Sequence, residues 1–378
     1  MASSDLVQLP EWKTEPKRVP NKLHSLCSYI AMFPPSIPNH FIQKYTDEGD
    51  VVLDPFSGRG TTPLEACTSN RIGIGNDRNP LAYVLTLAKV QTPSIGRISS
   101  KIEQLEGDYA QGEADINLTQ EDWKIRMLFS DYTLKQLLFM KENLCWDTNN
   151  VDAFVTAMVL GILHGNSDGY LSIKMPNTFS MSPNYIRGYI AGHELERPDR
   201  NVFNLLRRKA GRCYEQPASK GQVYRSDARK LTKIRNDSVS LVMTSPPYTR
   251  VIRYGAFNWI RLWFLGKDAK EVDRKLLCTQ SLFKYQEFMT GVLTETMRVL
   301  KSDGTAVFVI GDVKDRTSDK VFNLGQFVWE NCAEPLGFEL KEPIAADVIS
   351  DDTKVSKIWG ARRGNATKID RVLVLSKS

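Results

Sequence analysis

The sequence predicts an α/β protein in which a doubly wound, mainly parallel sheet is interrupted by a largely helical insertion. Two strand–turn–helix units follow each other between about residues 51 and 90, and such a succession is typical of a parallel sheet. The alternation then stops and resumes only near Val223. With 378 residues, of which 42% are hydrophobic and 25% charged, the chain is long enough to bury a large core.

The two units define one half of the predicted sheet. Residues 51–53 form the first strand, a glycine-rich turn follows, and 63–70 form a helix. Residues 71–75 form the second strand, and a helix that begins at a proline follows over 80–90. Because each unit places a helix between two strands, the strands are expected to run parallel.

The segment from about 91 to 220 has helical periodicity instead. Its apolar run 154–163 is far shorter than a membrane span, so it predicts a buried helix. Residues 172–193 are irregular in pattern and rich in proline, asparagine, serine and aromatic side chains. The segment has the character of an inserted module.

The second half of the sheet follows the insertion. Residues 239–243 form an apolar strand, and a helix over 285–300 leads through a Ser-Asp-Gly turn to a strand over 305–310. Two late strands are expected over 338–349 and 371–375, with a basic loop between them.

Charge is unevenly distributed along the chain. The formal net charge of +6 is modest for this length. Ten basic and two acidic residues lie within 207–235, and five basic residues and no acidic one lie within 353–368. Such segments suit the phosphate backbone of a nucleic acid, although a solvated surface is the commoner explanation of any one of them.

Cysteines and the amino terminus indicate the compartment. The six cysteines lie far apart, without a CxxC motif, so we expect reduced thiols and no zinc site. Residues 1–22 contain several charges and no apolar stretch of signal-peptide length. We therefore expect a cytoplasmic protein without a membrane segment. Of the histidines, we expect His164 and His193 to have structural roles and not catalytic ones.

The most informative motif is Thr-Ser-Pro-Pro-Tyr at 244–248, directly after the apolar strand. Pro246 and Pro247 cannot donate backbone hydrogen bonds and fix their own φ, so the chain leaves the sheet as a stiff loop with free carbonyls. Such a loop suits the amino group of a flat heterocycle, whose ring stacks on Tyr248. Considered without the rest of the chain, the motif would more often be an ordinary tight turn with no function.

The glycine turn and two later acids suit a nucleotide-like cofactor. Gly58 and Gly60 allow a sharp turn and a close approach of the backbone to a ligand. Asp77 follows the second strand, at the position where a carboxylate accepts hydrogen bonds from ribose hydroxyls. Asp227 is a candidate acceptor for an adenine amino group. For both acids, capping of the next helix or turn is the alternative.

Taken together, DPFSGRGTT at 54–62 and TSPPY at 244–248 resemble the cofactor and catalytic motifs of the amino-group DNA methyltransferases. The resemblance covers about 29–90, 222–312 and the final strand, and includes the segment 33–45, which in that family packs beside the methionine moiety. It implies a seven-stranded, Rossmann-like methyltransferase sheet and S-adenosyl-L-methionine as cofactor.

The resemblance assigns roles to individual residues. The cofactor contacts that it implies are Asp54, Pro55, Phe56, Ser57, Gly58, Gly60, Thr61, Thr62, Asp77, Asp227 and Thr244. The catalytic residues that it implies are Ser245, Pro246, Pro247 and Tyr248. Neither set depends on a metal.

The implied reaction explains the form of the loop. An exocyclic amine is a poor nucleophile because its lone pair is delocalised into the ring. If Ser245 and the Pro246 carbonyl accept its two hydrogens, the nitrogen can pyramidalise and attack a methyl group in line. The loop lacks the Pro-Cys nucleophile of enzymes that methylate ring carbon five. In that family the serine form of the motif, SPPY, favours the N4 amino group of cytosine and an Asp or Asn favours the N6 group of adenine, so with Ser245 the resemblance implies cytosine.

The resemblance also implies an organisation and partners. Residues 1–90 and 221–378 form the catalytic domain, and 91–220 contain the target-recognition region, with 174–193 and 207–212 as candidate DNA contacts. A helical cap that supports the sheet is the alternative for this insertion. Double-stranded DNA is the expected substrate, reached by base flipping, and a cognate restriction endonuclease is a candidate partner. An RNA methyltransferase and a non-catalytic DNA-binding subunit are the rival functions.

Overall fold

The computed structural model describes residues 11–14, 19–30, 34–112, 116–175, 180–247, 253–277, 279, 281–314, 321–348 and 366–377. The strands within these ranges are β1 (Val51–Asp54), β2 (Ile72–Asn76), β3 (Gln222–Tyr224), β4 (Val239–Thr244), β5 (Leu300–Lys314), β6 (Val321–Phe322), β7 (Phe338–Leu340), β8 (Ala345–Val348) and β9 (Ala366–Lys377).

The helices fall into three groups along the chain. Those before the insertion are α1 (Glu11–Thr14), α2 (Ser36–Tyr45), α3 (Thr61–Thr68) and α4 (Pro80–Val90). Those of the insertion are α5 (Ile95–Gly112), α6 (Trp123–Arg126), α7 (Asp131–Asn143), α8 (Asn150–Ile162), α9 (Pro183–Gly192) and α10 (Val202–Cys213). Those after it are α11 (Tyr254–Phe257), α12 (Trp259–Phe264), α13 (Ala269–Lys275), α14 (Leu282–Val299) and α15 (Leu324–Val328). A 3₁₀ turn covers Lys22–Ser25.

The strands form one mixed sheet in the order β3-β2-β1-β4-β5-β9-β7, with the short β6 and β8 paired to β5 and β9. Strands β3, β2, β1, β4 and β5 are parallel, whereas β9 is antiparallel to β5 and β7. The chain therefore winds outward from β1 in one direction and from β4 in the other. This confirms the predicted α/β class and the doubly wound, mainly parallel sheet.

Alternation of side chains along the strands builds a core on each face of the sheet. In β1, Val52 faces the α2 side and Leu53 the α14 side. In β9, Val374 and Leu375 divide in the same way. Successive side chains of a strand point to opposite faces, so both faces of this sheet are apolar and both are covered by helices.

The insertion shares its core with the rest of the molecule. Phe154 of α8 and Phe203 of α10 belong to one buried cluster with Leu81 and Leu85 of α4 and Leu262 of α12. The apolar run 154–163 is thus a buried helix, as its composition predicts. The proposed division into 1–90, 91–220 and 221–378 stays a prediction.

The sequence predicted the late part of the sheet less well. The expected strand over 338–349 is two strands, β7 and β8, which pair with different segments of β9. The expected Ser-Asp-Gly turn lies inside β5, where the pairing with β4 is irregular. The local sequence pattern could not predict the break between β7 and β8 or the extension of β5 through the Ser-Asp-Gly segment. Strand limits depend on pairing with strands that are distant in sequence.

Candidate cofactor and catalytic site

The two sequence motifs meet at the carboxyl edge of the sheet, between β1 and β4. These strands are parallel neighbours, and the chain leaves them toward opposite ends of the sheet, which is where doubly wound folds bind ligands. Thr244 Oγ1 at the end of β4 donates a hydrogen bond of 2.6 Å to Asp54 Oδ1 at the end of β1. The structure therefore brings together residues 190 positions apart.

The glycine turn is held by its own backbone and by β2. Gly58 and Gly60 have positive φ, 51° and 77°, a region that side chains with a Cβ rarely adopt. Gly60 N donates to Ser57 O at 2.6 Å, and Ser57 N donates to Asn76 O at 3.0 Å. Asn76 Nδ2 also donates to Pro55 O, at 3.2 Å. The turn is thus fastened directly against the end of β2.

Asp77 lies beside this turn and is half-buried. Its Oδ2 accepts from Gly58 N at 3.0 Å and its Oδ1 accepts from Asn79 N at 2.9 Å. The helix cap that was the alternative for Asp77 is provided by Asn79, whose side chain accepts from Leu81 N. Asp77 therefore faces the glycine turn and does not cap α4.

Burial raises the proton affinity of both acids. Asp54 is 2% exposed, and burial raises its pKa to about 7, although hydrogen bonds from Thr244 and Phe56 N oppose the shift. The nearby Thr62 hydroxyl acts in the same direction as those two bonds. Burial also raises the pKa of Asp77 to about 6, against the hydrogen bonds from Asn79 N and Gly58 N. The site thus contains two carboxyl groups that titrate near neutral pH.

Thr61 and Thr62 begin α3 directly after the glycine turn, and both are buried. Thr61 Oγ1 accepts from Arg59 Nε at 3.2 Å. Phe56 extends from the turn toward α14, where its ring lies 5.8 Å from the ring of Phe288. The turn is therefore supported from α3 on one side and α14 on the other.

Asp227 lies beyond the end of β3 and is engaged by two arginines. Its Oδ2 accepts from Arg229 Nη2 at 2.8 Å and from Arg78 Nη1 at 3.0 Å. These guanidinium groups, the hydrogen bond from Arg229 above all, hold its pKa below the usual value. The guanidinium of Arg229 lies 5.5 Å from the ring centre of Phe288. Asp227 is thus connected to the glycine turn through Arg229, Phe288 and Phe56.

The predicted catalytic loop is described as far as residue 247. Strand β4 is buried along its whole length, Pro246 is buried, and Ser245 and Pro247 are half-buried. Tyr248 lies outside the described residues, and so does Arg250, which as a cation directly after the loop is a candidate for positioning a phosphate. Their contributions stay predictions.

Two tyrosines outside the motifs line the site. Tyr29 is buried, its Oη accepts from Asn79 Nδ2 at 3.1 Å, and its ring would lie 3.5 Å from a Cβ on Gly58. The ring of Tyr254 stacks on Tyr29 at 6.0 Å, with 25° between the planes. The position of Tyr254 just after the TSPPY loop makes it a candidate for filling the gap left by a flipped base, whereas nothing near Tyr29 in sequence indicates a role. The stacking favours a role for Tyr254 in the wall of the site over filling the gap left by a flipped base.

The other titratable residues do not enlarge the site. His164 is buried with its pKa well below the usual value because of desolvation, and His193 is exposed, with Nδ1 2.9 Å from Tyr189 O.

In the described ranges, no group of three or more metal-ligating side chains occurs. Cys27, Cys67, Cys145, Cys213 and Cys332 are free thiols, and Cys278 lies outside those ranges. No helix there is long and apolar enough to cross a membrane.

A family model described as DNA methylase matches residues 6–87, which include the glycine turn and Asp77. The chain is also similar to Type II methyltransferase M.BsoBI of Geobacillus stearothermophilus, with 23% identity over 294 residues, or 68% of this chain. It spans 56% of the length of that relative. Type II methyltransferase M.BglI of Bacillus subtilis is 38% identical over 76 residues, which are 20% of this chain and 22% of the relative.

Among solved structures, the chain is similar to TTHA0409, a putative DNA modification methylase from Thermus thermophilus in complex with S-adenosyl-L-methionine. The identity is 25%, over 40% of this chain and 53% of that chain, with a TM-score of 0.25. Over residues 6–87 the chain is similar to the family of DNA methylases, and over 68% of its length it is similar to a Type II methyltransferase.

Proposed function

We propose that this protein is a DNA methyltransferase that transfers a methyl group to the exocyclic N4 amino group of cytosine in duplex DNA. The observation that carries this proposal is the hydrogen bond of 2.6 Å between Thr244 and Asp54, which joins the TSPPY loop to the glycine turn. A methyl donor on the turn and an amino group on the loop would then be neighbours. This proximity is what an in-line transfer requires.

The residues of the glycine turn fit the cofactor. Gly60 leaves no space for a Cβ, since one would lie 2.9 Å from Thr86, so the turn packs directly on α4 at this position. When ionised, Asp54 and Asp77 supply negative charge at the turn, as a cationic ligand requires. When bound, S-adenosyl-L-methionine supplies an electrophilic methyl group on a sulfonium centre.

The loop after β4 has the groups that an amine needs. The Ser245 hydroxyl and the Pro246 carbonyl accept the two amino hydrogens, which returns the lone pair to the nitrogen. Pro246 and Pro247 hold these acceptors in place, because a proline has a fixed φ and little conformational freedom to lose. Tyr248 stacks on the ring of the extruded base and offsets part of the cost of unpairing, about a few kcal/mol.

Helix α9 is the proposed DNA face of the insertion. The chain just before it is tied to the helices that follow the TSPPY loop, since Ser180 N donates to Phe257 O at 2.8 Å and Trp259 Nε1 donates to Met181 O at 2.7 Å. Along α9 itself only Ile186 is buried. The exposed face offers aromatic rings and a guanidinium, the groups that contact bases and phosphates.

The 207–212 cluster is less suited to this role. Lys209 is 9% exposed, and its Nζ donates to Ser25 O at 2.7 Å. Arg207 forms an ion pair with Glu106. Both side chains are thus engaged within the protein, so α9 supports the DNA-face proposal better.

Incubation with labelled S-adenosyl-L-methionine and duplex DNA, followed by digestion to nucleosides, tests the proposal. We expect labelled N4-methylcytosine in the wild type, and a loss of at least about a hundredfold in Ser245→Ala because an acceptor for the developing charge is removed. Ser238→Ala is the matched control, since that serine lies before β4 and its hydroxyl donates to Arg235 O.

The same digest separates the alternatives. If N6-methyladenine is the sole labelled product, the target base is adenine and not cytosine. Transfer to structured RNA but not to duplex DNA would identify the RNA enzyme. Cofactor binding without any transfer would favour the non-catalytic subunit.

The Type II designation of the relatives supports a cognate restriction endonuclease as partner.

A further inference from the structure

Helix α4 presents two buried polar side chains to the glycine turn. Thr86 and Lys89 are three positions apart, so they lie on the same face of the helix, and both are 0% exposed. Thr86 Oγ1 donates to Gly58 O at 3.4 Å, and Lys89 Nζ donates to Arg59 O at 2.6 Å. Two consecutive carbonyls of the turn are therefore anchored on α4.

Full burial of a lysine is unusual because desolvation of the amine is costly. Desolvation lowers the pKa of Lys89 well below its usual value. A methionine would fill similar space without that cost. What distinguishes lysine at this position is therefore its hydrogen bond to the turn.

The bond acts on the middle peptides of the turn. In a trans peptide the C=O and N–H groups point in opposite directions. Anchoring the Gly58 carbonyl on α4 turns the N–H of Arg59 away from that helix, and anchoring the Arg59 carbonyl fixes the peptide that leads into Gly60. The orientation of these peptides decides what the turn offers to a ligand.

We propose that Lys89 is a positioning residue for S-adenosyl-L-methionine, which acts by holding the Arg59 carbonyl and thereby the binding conformation of the glycine turn. The inference depends on the proposed cofactor site and goes beyond it, because α4 lies outside the sequence motifs. Lys89 itself does not contact the cofactor.

Lys209 provides a matched control. It is also a buried lysine whose Nζ donates to a backbone carbonyl, and desolvation likewise lowers its pKa. Its acceptor is Ser25 O in the 3₁₀ turn and not a carbonyl of the glycine turn. Lys209→Met thus removes the same chemistry from a different place.

Isothermal titration calorimetry of the full chain with S-adenosyl-L-methionine tests the proposal, together with melting of the cofactor-free proteins. We expect Lys89→Met to weaken cofactor binding by at least about fivefold, as loss of a positioning hydrogen bond implies. Its melting temperature should be no lower than that of Lys209→Met, and Lys209→Met should bind the cofactor within about twofold of the wild type. In methyl-transfer assays of Lys89→Met, KM for the cofactor should rise while kcat at saturating cofactor stays equal to that of the wild type.

Cofactor affinity of Lys89→Met within fivefold of the wild type would overturn the proposal, and so would an equal loss in both lysine variants. If Lys89→Met does not fold, Thr86→Val takes its place, since it removes the neighbouring anchor at constant shape. We then expect at least about a threefold loss of affinity, and a smaller loss overturns the inference. A wild type that binds cofactor but methylates no nucleic acid contradicts the proposed function and leaves this test intact.

Discussion

Asp54 and Asp77 show how single residues set the properties of the site. Asp54 ends β1 and is buried, whereas Asp77 directly follows β2 and is half-buried, and burial raises the pKa of both. The resulting pKa values, about 7 and about 6, place their ionisation near neutral pH. A cationic ligand prefers the ionised forms, so the affinity of the site depends on pH.

We expect the affinity for S-adenosyl-L-methionine to rise as pH increases from about 5 to 8, because the two carboxyl groups become charged in this interval. The measurement is the dissociation constant across this range. Asp54→Asn should remove the limb of the profile near pH 7 and leave the limb near pH 6. A profile that is flat in the wild type would contradict this assignment.

The same shifts affect the stability of the cofactor-free protein in the opposite direction. Both groups bind protons more tightly in the folded than in the unfolded chain, so folding loses stability as pH rises from about 4 to 7. This destabilisation is fully present above the folded pKa values. Chemical denaturation of the wild type should therefore show a loss across this interval, and Asp54→Asn should show a smaller one.

At the scale of elements, the glycine turn is built jointly by its own sequence and by α4. Its positive φ angles are a local requirement that glycine meets. The lack of space at Gly60 is instead imposed by Thr86, which belongs to another helix. Backbone strain and steric exclusion are therefore separable at this turn.

Three glycine substitutions test this separation. Gly49 has φ 84° and no atom within 4 Å of a new Cβ, so Gly49→Ala should cost about 1–2 kcal/mol of strain and no cofactor affinity. Gly60→Ala adds a contact at 2.9 Å to the same strain, and should abolish cofactor binding. Gly58→Ala, with an ordinary contact of 3.5 Å to Tyr29, should fall between them. Equal effects of Gly49→Ala and Gly60→Ala on cofactor affinity would show that α4 does not shape the turn.

At the scale of the whole molecule, the insertion and the catalytic loop are connected. The backbone bond from Ser180 to Phe257 places α9 beside the helices that follow TSPPY. The shared core of α4, α8, α10 and α12 prevents the insertion from moving as a separate body without cost. The proposed target-recognition region and the proposed catalytic loop thus share one core.

Binding of duplex DNA should weaken steeply with salt, because each neutralised phosphate releases counterions. Substitution of Arg187 tests whether α9 contacts the phosphates. Its guanidinium lies 5.1 Å from the Trp123 ring centre. Arg187→Gln should reduce the slope of log affinity against log salt by about 1. Arg274→Gln on α13 is a control, since this exposed arginine lies 3.5 Å from Glu271. An unchanged slope in Arg187→Gln would remove α9 from the phosphate contacts.

Much of the fold was predictable because the signals are local. Pro80 at the start of α4 and the glycines of the turn follow from steric rules that act within a few residues. The split of 338–349 into β7 and β8 was not predictable, since it is determined by pairing with β9. Tyr29 and Lys89 were missed for the same reason: their partners lie in other elements, and nothing near them in sequence indicates the contact.

By itself the sequence determined the α/β class, the motifs and the positions of Asp54 and Asp77 at strand ends, because period, glycine and proline act locally. The tertiary structure alone decided that Thr244 donates to Asp54, that α4 anchors the glycine turn, and that Lys209 is buried. These contacts join residues distant along the chain. Their geometry depends on how the strands are ordered and how the helices pack on them, which no local pattern encodes.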